Sequence, residues 1–91
     1  MTANDRARPC LLVLVSSDCG DCRRAVGIAA DFGEASPHVQ VRVVNISHEP
    51  VPDGVILVGT PMYIDDTFAP TVISLGNPTP AELARHYGHA R

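Results

Sequence analysis

The feature that most limits the fold of this chain is a cysteine pair set between two kinds of periodicity. Cys10-Leu11-Leu12-Val13-Leu14-Val15 is an unbroken apolar run, and Cys19-Gly20-Asp21-Cys22 follows it closely. Beyond the pair, Ala25, Val26, Ala29 and Phe32 recur at helical steps of three and four. An apolar run without alternation marks a strand covered on both faces, so Pro9 to Val15 is predicted as a central strand. Arg23 to Phe32 is predicted as a helix, with Asp18 as its N-cap and Asp21 in its first turn. Gly27 weakens this helix modestly, and Gly33 and Pro37 are expected to end it. On a helical turn, residues three apart share a face, which brings the two sulfurs within bonding reach. Unpaired N–H groups and the positive end of the helix dipole favour a thiolate there, and thiolate is the reactive form. A C-x-x-C in this setting reads as a dithiol redox site.

The rest of the chain extends this frame. Val39 to Ile46 alternates and is β-branched, a strand. Strand, helix and strand with short links imply a right-handed parallel crossover. Ser47 to Gly54 holds Pro50, Pro52 and Gly54 and is expected to be loop, or one helical turn at most. Val55 to Val58 is apolar but carries no clear assignment. Met62 to Ile64 and Phe68 to Leu75 are predicted as a hairpin about Asp65-Asp66-Thr67, with Pro70 marking an edge strand or a bulge. Thr79, Pro80 and Glu82 supply an N-cap, a first-position proline and a capping-box acid. Leu83 and Tyr87 share one face of that helix, and Gly88 stops it. Residues 1 to 8 are expected to be a flexible N-terminal arm, and 9 to 91 a single domain.

Charge and composition exclude several functions. The formal net charge is −3, and the seven basic residues are all Arg without a stripe, so nucleic-acid binding is not expected. No stretch approaches the ~18 apolar residues of a membrane span. The six-residue run near the N-terminus is too short for a leader and lacks a small-residue cleavage site. An odd count of three cysteines argues against a secreted disulfide scaffold. A cytoplasmic protein is expected, with no membrane association.

The element order, strand, helix, strand, loop, strand, strand, helix, resembles the thioredoxin/glutaredoxin superfamily over roughly residues 9 to 88. Three features carry the resemblance: Cys19-Gly20-Asp21-Cys22 after the first strand, Thr60-Pro61 just before the hairpin, and Gly76 between the hairpin and the last helix. It implies an α/β thioredoxin-like fold: a four-stranded mixed sheet, βαβ then ββα, with helices packed on it and a shortened middle helix within Ser47 to Val58. It also implies a cis peptide bond at Pro61 and a thiol–disulfide oxidoreductase with no bound cofactor. Cys19 would be the nucleophile, Cys22 the resolving thiol, and Gly20 and Asp21 the active-site loop. Thr60 and Pro61 would face the substrate, with the backbone of Thr60 pairing with an extended segment. The implied partners are disulfide-bearing proteins and an electron donor, either a thioredoxin-reductase-like enzyme or glutathione. A monomer is expected.

The sequence departs from both branches of the family. Asp18 and Asp21 stand where thioredoxins carry Trp and Pro, and Val13 stands where their buried acid falls. Gly59-Thr60-Pro61 replaces the Thr-Val-Pro of glutaredoxins, and Asn77 replaces the second of their paired glycines. These differences leave the electron donor open. Local charges also oppose one another: Asp18 and Asp21 raise a thiolate's pKa, while Arg23, Arg24 and the helix end lower it.

Other readings of the same residues remain. One is a redox-inactive module that binds a partner through the Pro61 surface. Another is a metal site, which needs about four ligands where the pair supplies two. Cys10, at ~3.3 Å per residue back along the strand, is too distant to be a third. His38 and His48 flank the second strand at opposite ends. No protein metal site is expected, and a cluster bridged between two chains is a further alternative. Cys10 is expected to be an inert core residue. Met62 and Tyr63 are expected to pack the core or line the hairpin, and His86, His89 and Arg23-Arg24 to be solvated.

Overall fold

The computed structural model describes residues 9–88; the expected N-terminal arm, residues 1–8, and His89 lie outside the described residues. In chain order the elements are β1 (Cys10–Val15), α1 (Cys22–Ala35), β2 (Gln40–Asn45), β3 (Met62–Asp65), β4 (Thr71–Leu75) and α2 (Pro80–Tyr87). The four strands form one mixed sheet in the order β2-β1-β3-β4. β1 runs parallel to β2 and antiparallel to β3, and β3 pairs antiparallel with β4.

β1 is central because its side chains are apolar on both faces. Leu11, Val13 and Val15 join Cys22, Ala25, Ala29, Phe32, Tyr63 and Leu83 in a core beneath the helices. Leu12 and Leu14 point the other way and pack with Val44, Met62 and Ile64. This second face is covered by Ile46, Val51 and Val55 of the β2–β3 connection.

That connection corrects the expected shortened middle helix: among the described residues there are two helices, and neither lies between β2 and β3. His48 N and Glu49 N donate to Asn45 O at 3.0 and 2.9 Å, a single turn. Pro50 and Pro52 lack the N–H that a further turn needs, and Gly54 adopts φ +82°, outside the helical region. Val55 to Val58 is irregular, with Ile56 and Val58 82% and 67% exposed.

α1 also differs from expectation at both ends. It begins at Cys22, with Asp21 and not Asp18 at the N-cap, and Asp21 makes no side-chain capping bond. The residues of the cysteine pair form a turn ahead of the helix, closed by Cys22 N donating to Cys19 O at 3.3 Å. At the other end α1 runs through Gly33 to Ala35. Gly33 has no positive φ and lies over Val41, so it continues the helix instead of ending it. Ser36 ends it, since the following Pro37 disfavours helical geometry there. Val26 falls on the outer side and is 45% exposed.

The hairpin has a register shift between Tyr63 and Ile64. β4 is an edge strand, and Pro70 precedes it instead of lying within it, which leaves the β4 ladder intact. α2 docks through buried Leu83, through Tyr87 Oη donating to Cys10 O at 2.8 Å, and through Phe32 and Tyr87 with ring centroids 5.7 Å apart.

Candidate functional site

Strand register brings four chain segments to one end of the sheet. β1 ends at Val15 beside Asn45, the last residue of β2. Leu14 faces Met62, the first residue of β3, and Met62 faces Leu75, the last of β4. The segments just beyond these residues therefore meet: Ser16 to Asp21, Ile46 to His48, Thr60-Pro61, and Gly76-Asn77.

Cys19 and Cys22 form a disulfide at this end, with their Cα atoms 5.3 Å apart. The two sulfurs are unequal. Cys22 is the first residue of α1 and is 4% exposed, while Cys19 lies in the turn and is only partly covered. Gly20 and Asp21 between them are both exposed. Cys22 is buried because it opens the inward stripe of α1, continued by Ala25, Ala29 and Phe32. The Ser16 N–H points at Cys22 Sγ, 3.4 Å away.

The Thr60–Pro61 bond is cis, the isomer the sequence resemblance implied. Ser16 joins this bond to the cysteine pair, because its hydroxyl shares a 2.9 Å hydrogen bond with Thr60 Oγ1 while its N–H faces Cys22 Sγ. Pro61 O accepts from Gly76 N at 2.9 Å. Gly76 has φ +95°, a conformation open to glycine at little cost, and it turns the chain so that Asn77 comes next to the cysteine turn. Asn77 Nδ2 donates to Asp21 O at 3.2 Å, and Asn77 Oδ1 accepts from Tyr63 Oη at 2.9 Å. Tyr63 is fully buried, and burial pushes its hydroxyl up to about 12, so it is a fixed donor. A chain of contacts thus runs from Cys22 through Ser16, Thr60, Pro61, Gly76 and Asn77 back to Asp21.

A cleft of about 500 Å³ lies along the pair, with Ser17, Cys19, Arg23, Val26 and Asn45 among its walls. Exposed Val26, one of the apolar residues at helical spacing, is among them. Ser17 is held on this side by Ser47 and Asn45: its N–H donates to Ser47 Oγ at 3.0 Å, and its Oγ accepts from Asn45 Nδ2 at 3.3 Å. His48 Nε2 lies 3.4 Å from Ser17 Oγ, which brings His48 to the rim of the cleft.

Of the residues predicted for the site, Cys19, Gly20, Asp21, Cys22 and Thr60-Pro61 come together at one end of the sheet, with Cys22 and Pro61 buried. Ser16, Tyr63 and Asn77, which tie these segments together, carried no sequence signal of such a role. Asn77 read as a turn residue standing where glutaredoxins carry a glycine, and Tyr63 as packing the core or lining the hairpin.

Other expectations are corrected. Cys10 is half-buried at the start of β1, not enclosed in the core; burial first, then the Asp66 carboxylate, raises its thiol pKa and keeps it protonated. His86 is not simply solvated: its Nε2 meets Asp65 Oδ2 at 2.7 Å. Asp65 also accepts from Thr67 N and Oγ1, at 3.0 and 2.6 Å, as turn chemistry predicts. Partial burial raises the Asp65 carboxyl, but the bonds from Thr67 and His86 outweigh it and hold the group below its ordinary value. Both ring nitrogens of His38, at the far end of β2, are buried without a partner. Among the described residues no group of three or more His, Cys, Asp or Glu gathers closely enough to hold a metal ion. No helix of the described residues is long and apolar enough to cross a membrane.

No protein-family model matches the chain, and no curated protein matches it.

Proposed function

We propose that this chain is a thioredoxin-like thiol–disulfide oxidoreductase that reduces disulfides in other proteins by cycling the Cys19–Cys22 pair. The observation that carries the reading is the unequal exposure of two bonded sulfurs at the start of α1, with a cis Thr60–Pro61 bond tied to them through Ser16. In the dithiol form, Cys19 is the sulfur that a substrate meets. Its thiolate attacks one sulfur of the substrate disulfide, forming a mixed disulfide and releasing the other sulfur as a thiol. Cys22, enclosed beneath it, attacks Cys19 Sγ. The substrate leaves with its second thiol, and the Cys19–Cys22 disulfide remains. A donor then returns two electrons and two protons.

Two features of the site suit the second step. The Ser16 N–H aimed at Cys22 Sγ favours a thiolate there, which supplies local stabilisation where Val13 offers no carboxylate. The Thr60 side chain is joined to the pair through Ser16, and the Thr60 backbone is the edge on which this reading places an extended substrate segment. The cytoplasm, where such dithiols are kept reduced, is the compartment this reading implies.

Insulin reduction tests the proposal, with electrons supplied by a thioredoxin reductase in one arm and by glutathione with its reductase in the other. Turnover in the first arm supports the reading, and turnover confined to the second reassigns the donor. A protein inactive in both arms, whose pair never forms or opens by mass spectrometry after mild reduction, is a partner-binding module instead.

A further inference from the structure

We propose that Asn77 is a positioning residue that holds the Cys19–Cys22 turn in its bonded geometry and thereby sets how readily the pair is reduced. The inference rests on the oxidoreductase reading and adds to it a control on the redox equilibrium. Its basis is the way Asn77 is held. The carboxamide is oriented by a donor that cannot move: Tyr63 is fully buried, and its hydroxyl occupies Asn77 Oδ1 at 2.9 Å, which turns Nδ2 toward Asp21 O at 3.2 Å. The same Tyr63 hydroxyl lies 3.5 Å from Ala25 O on the first turn of α1. The backbone of Asn77 is fixed from both sides, by Gly76 N bonded to Pro61 O and by buried Pro78. Asp21, by contrast, has no side-chain cap of its own, and its carbonyl is where the rigid carboxamide engages the segment joining the two cysteines.

The consequence follows from what reduction does. Two glutathione thiols convert the Cys19–Cys22 disulfide into two cysteine thiols and leave as glutathione disulfide; two electrons and two protons pass to the pair. The S–S bond breaks, and the sulfurs move apart to non-bonded separation. That movement turns the Asp21–Cys22 peptide, which carries Asp21 O, while the donor on Asn77 stays where Tyr63 holds it. The bond to Asp21 O therefore belongs to the closed form more than to the open one, and removing it favours the dithiol.

The test equilibrates the native protein, Asn77→Ala and Tyr63→Phe in glutathione buffers of graded ratio, followed by alkylation and mass analysis. For Asn77→Ala the equilibrium constant for disulfide formation is expected to fall about fivefold, the worth of one ordinary hydrogen bond. On a two-electron scale that is a potential about 20 mV less negative. Tyr63→Phe keeps the ring and frees the carboxamide, so it shifts the same way by less, and it decides the matter if Asn77→Ala fails to fold. A purely structural role would lower the melting points of the oxidised and reduced forms equally; the proposal requires the gap between them to narrow. Unchanged potentials in both variants overturn the inference and leave the oxidoreductase reading standing. A native pair that does not exchange with glutathione at any ratio overturns both.

Discussion

At the start of α2, Thr79 Oγ1 accepts from Glu82 N at 3.1 Å, and Glu82 Oε1 accepts from Thr79 N at 2.8 Å, so two residues three apart close the helix end between them. At the start of α1 no side chain of the helix or its N-cap does this. Its first turn is closed by a covalent bond between Cys19 and Cys22, by the Ser16 N–H on Cys22 Sγ, and by Asn77 reaching Asp21 O across 56 positions of sequence. One helix end is finished locally and has a single state. The other is finished by distant partners and by a bond that chemistry can break. On the proposed function the α1 start passes between two redox states, and a permanent cap would serve it badly, because a cap that stabilises both states equally gives no control over which is populated.

The largest effect expected from breaking this contrast is on activity. Cys19→Ser removes the attacking sulfur and is expected to abolish insulin reduction, whereas Thr79→Ala, at the other helix end, is expected to retain the native turnover per folded molecule. Loss of turnover in both variants would mean that the two ends are not independent. Next in size is the effect of reduction on stability. Closing so short a loop removes little chain entropy, so breaking the disulfide is expected to cost about 2 kcal/mol in denaturant unfolding. Hydrogen exchange should locate that loss: the amides of Ala25 and Val26, the first hydrogen-bonded ones of α1, exchange faster after reduction, while those of Leu83 and Ala84 do not. Equal acceleration at both helices would show a global loosening and remove the distinction.

The same contrast explains what could be read before the structure was seen. The α2 start was legible in full because Thr79, Pro80, Glu82 and Gly88 act within one element, and each bond they were expected to make is present. β1 was legible because an apolar run of its length has to be covered on both sides. The pairing of β1 with β2 and the hairpin followed from link lengths and alternation. What escaped was set by neighbours across space. α1 continues past Gly33 to Ala35, where the sequence offered only a helix-weakening residue. Val26 shares the helical spacing but lies off the buried stripe of Cys22, Ala25, Ala29 and Phe32, on the wall of the cleft. Asp18 had the right chemistry for an N-cap, but the turn imposed by the cysteine pair moved the helix start to Cys22. Asp65, the last residue of β3, and His86, on α2, meet although 21 positions separate them. The helix expected between β2 and β3 came from resemblance alone, and the local signals of Pro50, Pro52 and Gly54 against it prevailed. At the site, the cysteine pair and the cis proline were legible, and the residues that hydrogen-bond around them, Ser16, Tyr63 and Asn77, were not.

A smaller effect sharpens the comparison from the α2 side. Thr79→Ala removes the hydroxyl that satisfies Glu82 N and is expected to cost about 1 kcal/mol. For a domain of this size that lowers the melting temperature by roughly 4–8 °C. Because this cap does not sense the cysteines, the decrease should be the same in the oxidised and reduced proteins. A decrease that depends on redox state would couple the two helix starts.

The smallest effect is the acid dependence of the α2 cap. The bonds from the backbone and side chain of Thr79 hold the Glu82 carboxyl below its ordinary value in the folded protein. A group whose folded pKa is depressed contributes stability that is fully present above its unfolded value and is lost as pH falls through the folded one. Glu82→Gln should therefore differ from the native protein at neutral pH, and the difference should shrink as the pH falls below ~4, the ordinary glutamate range. The disulfide, the Ser16 N–H and the Asn77 carboxamide that close α1 hold no carboxylate. Asn77→Ala should accordingly lower the melting point of the oxidised protein by the same amount at neutral and acid pH. If the Asn77 decrement instead fades in acid alongside that of Glu82, the α1 start depends on an ionised group, and the contrast between a titratable cap and a redox-controlled one does not hold.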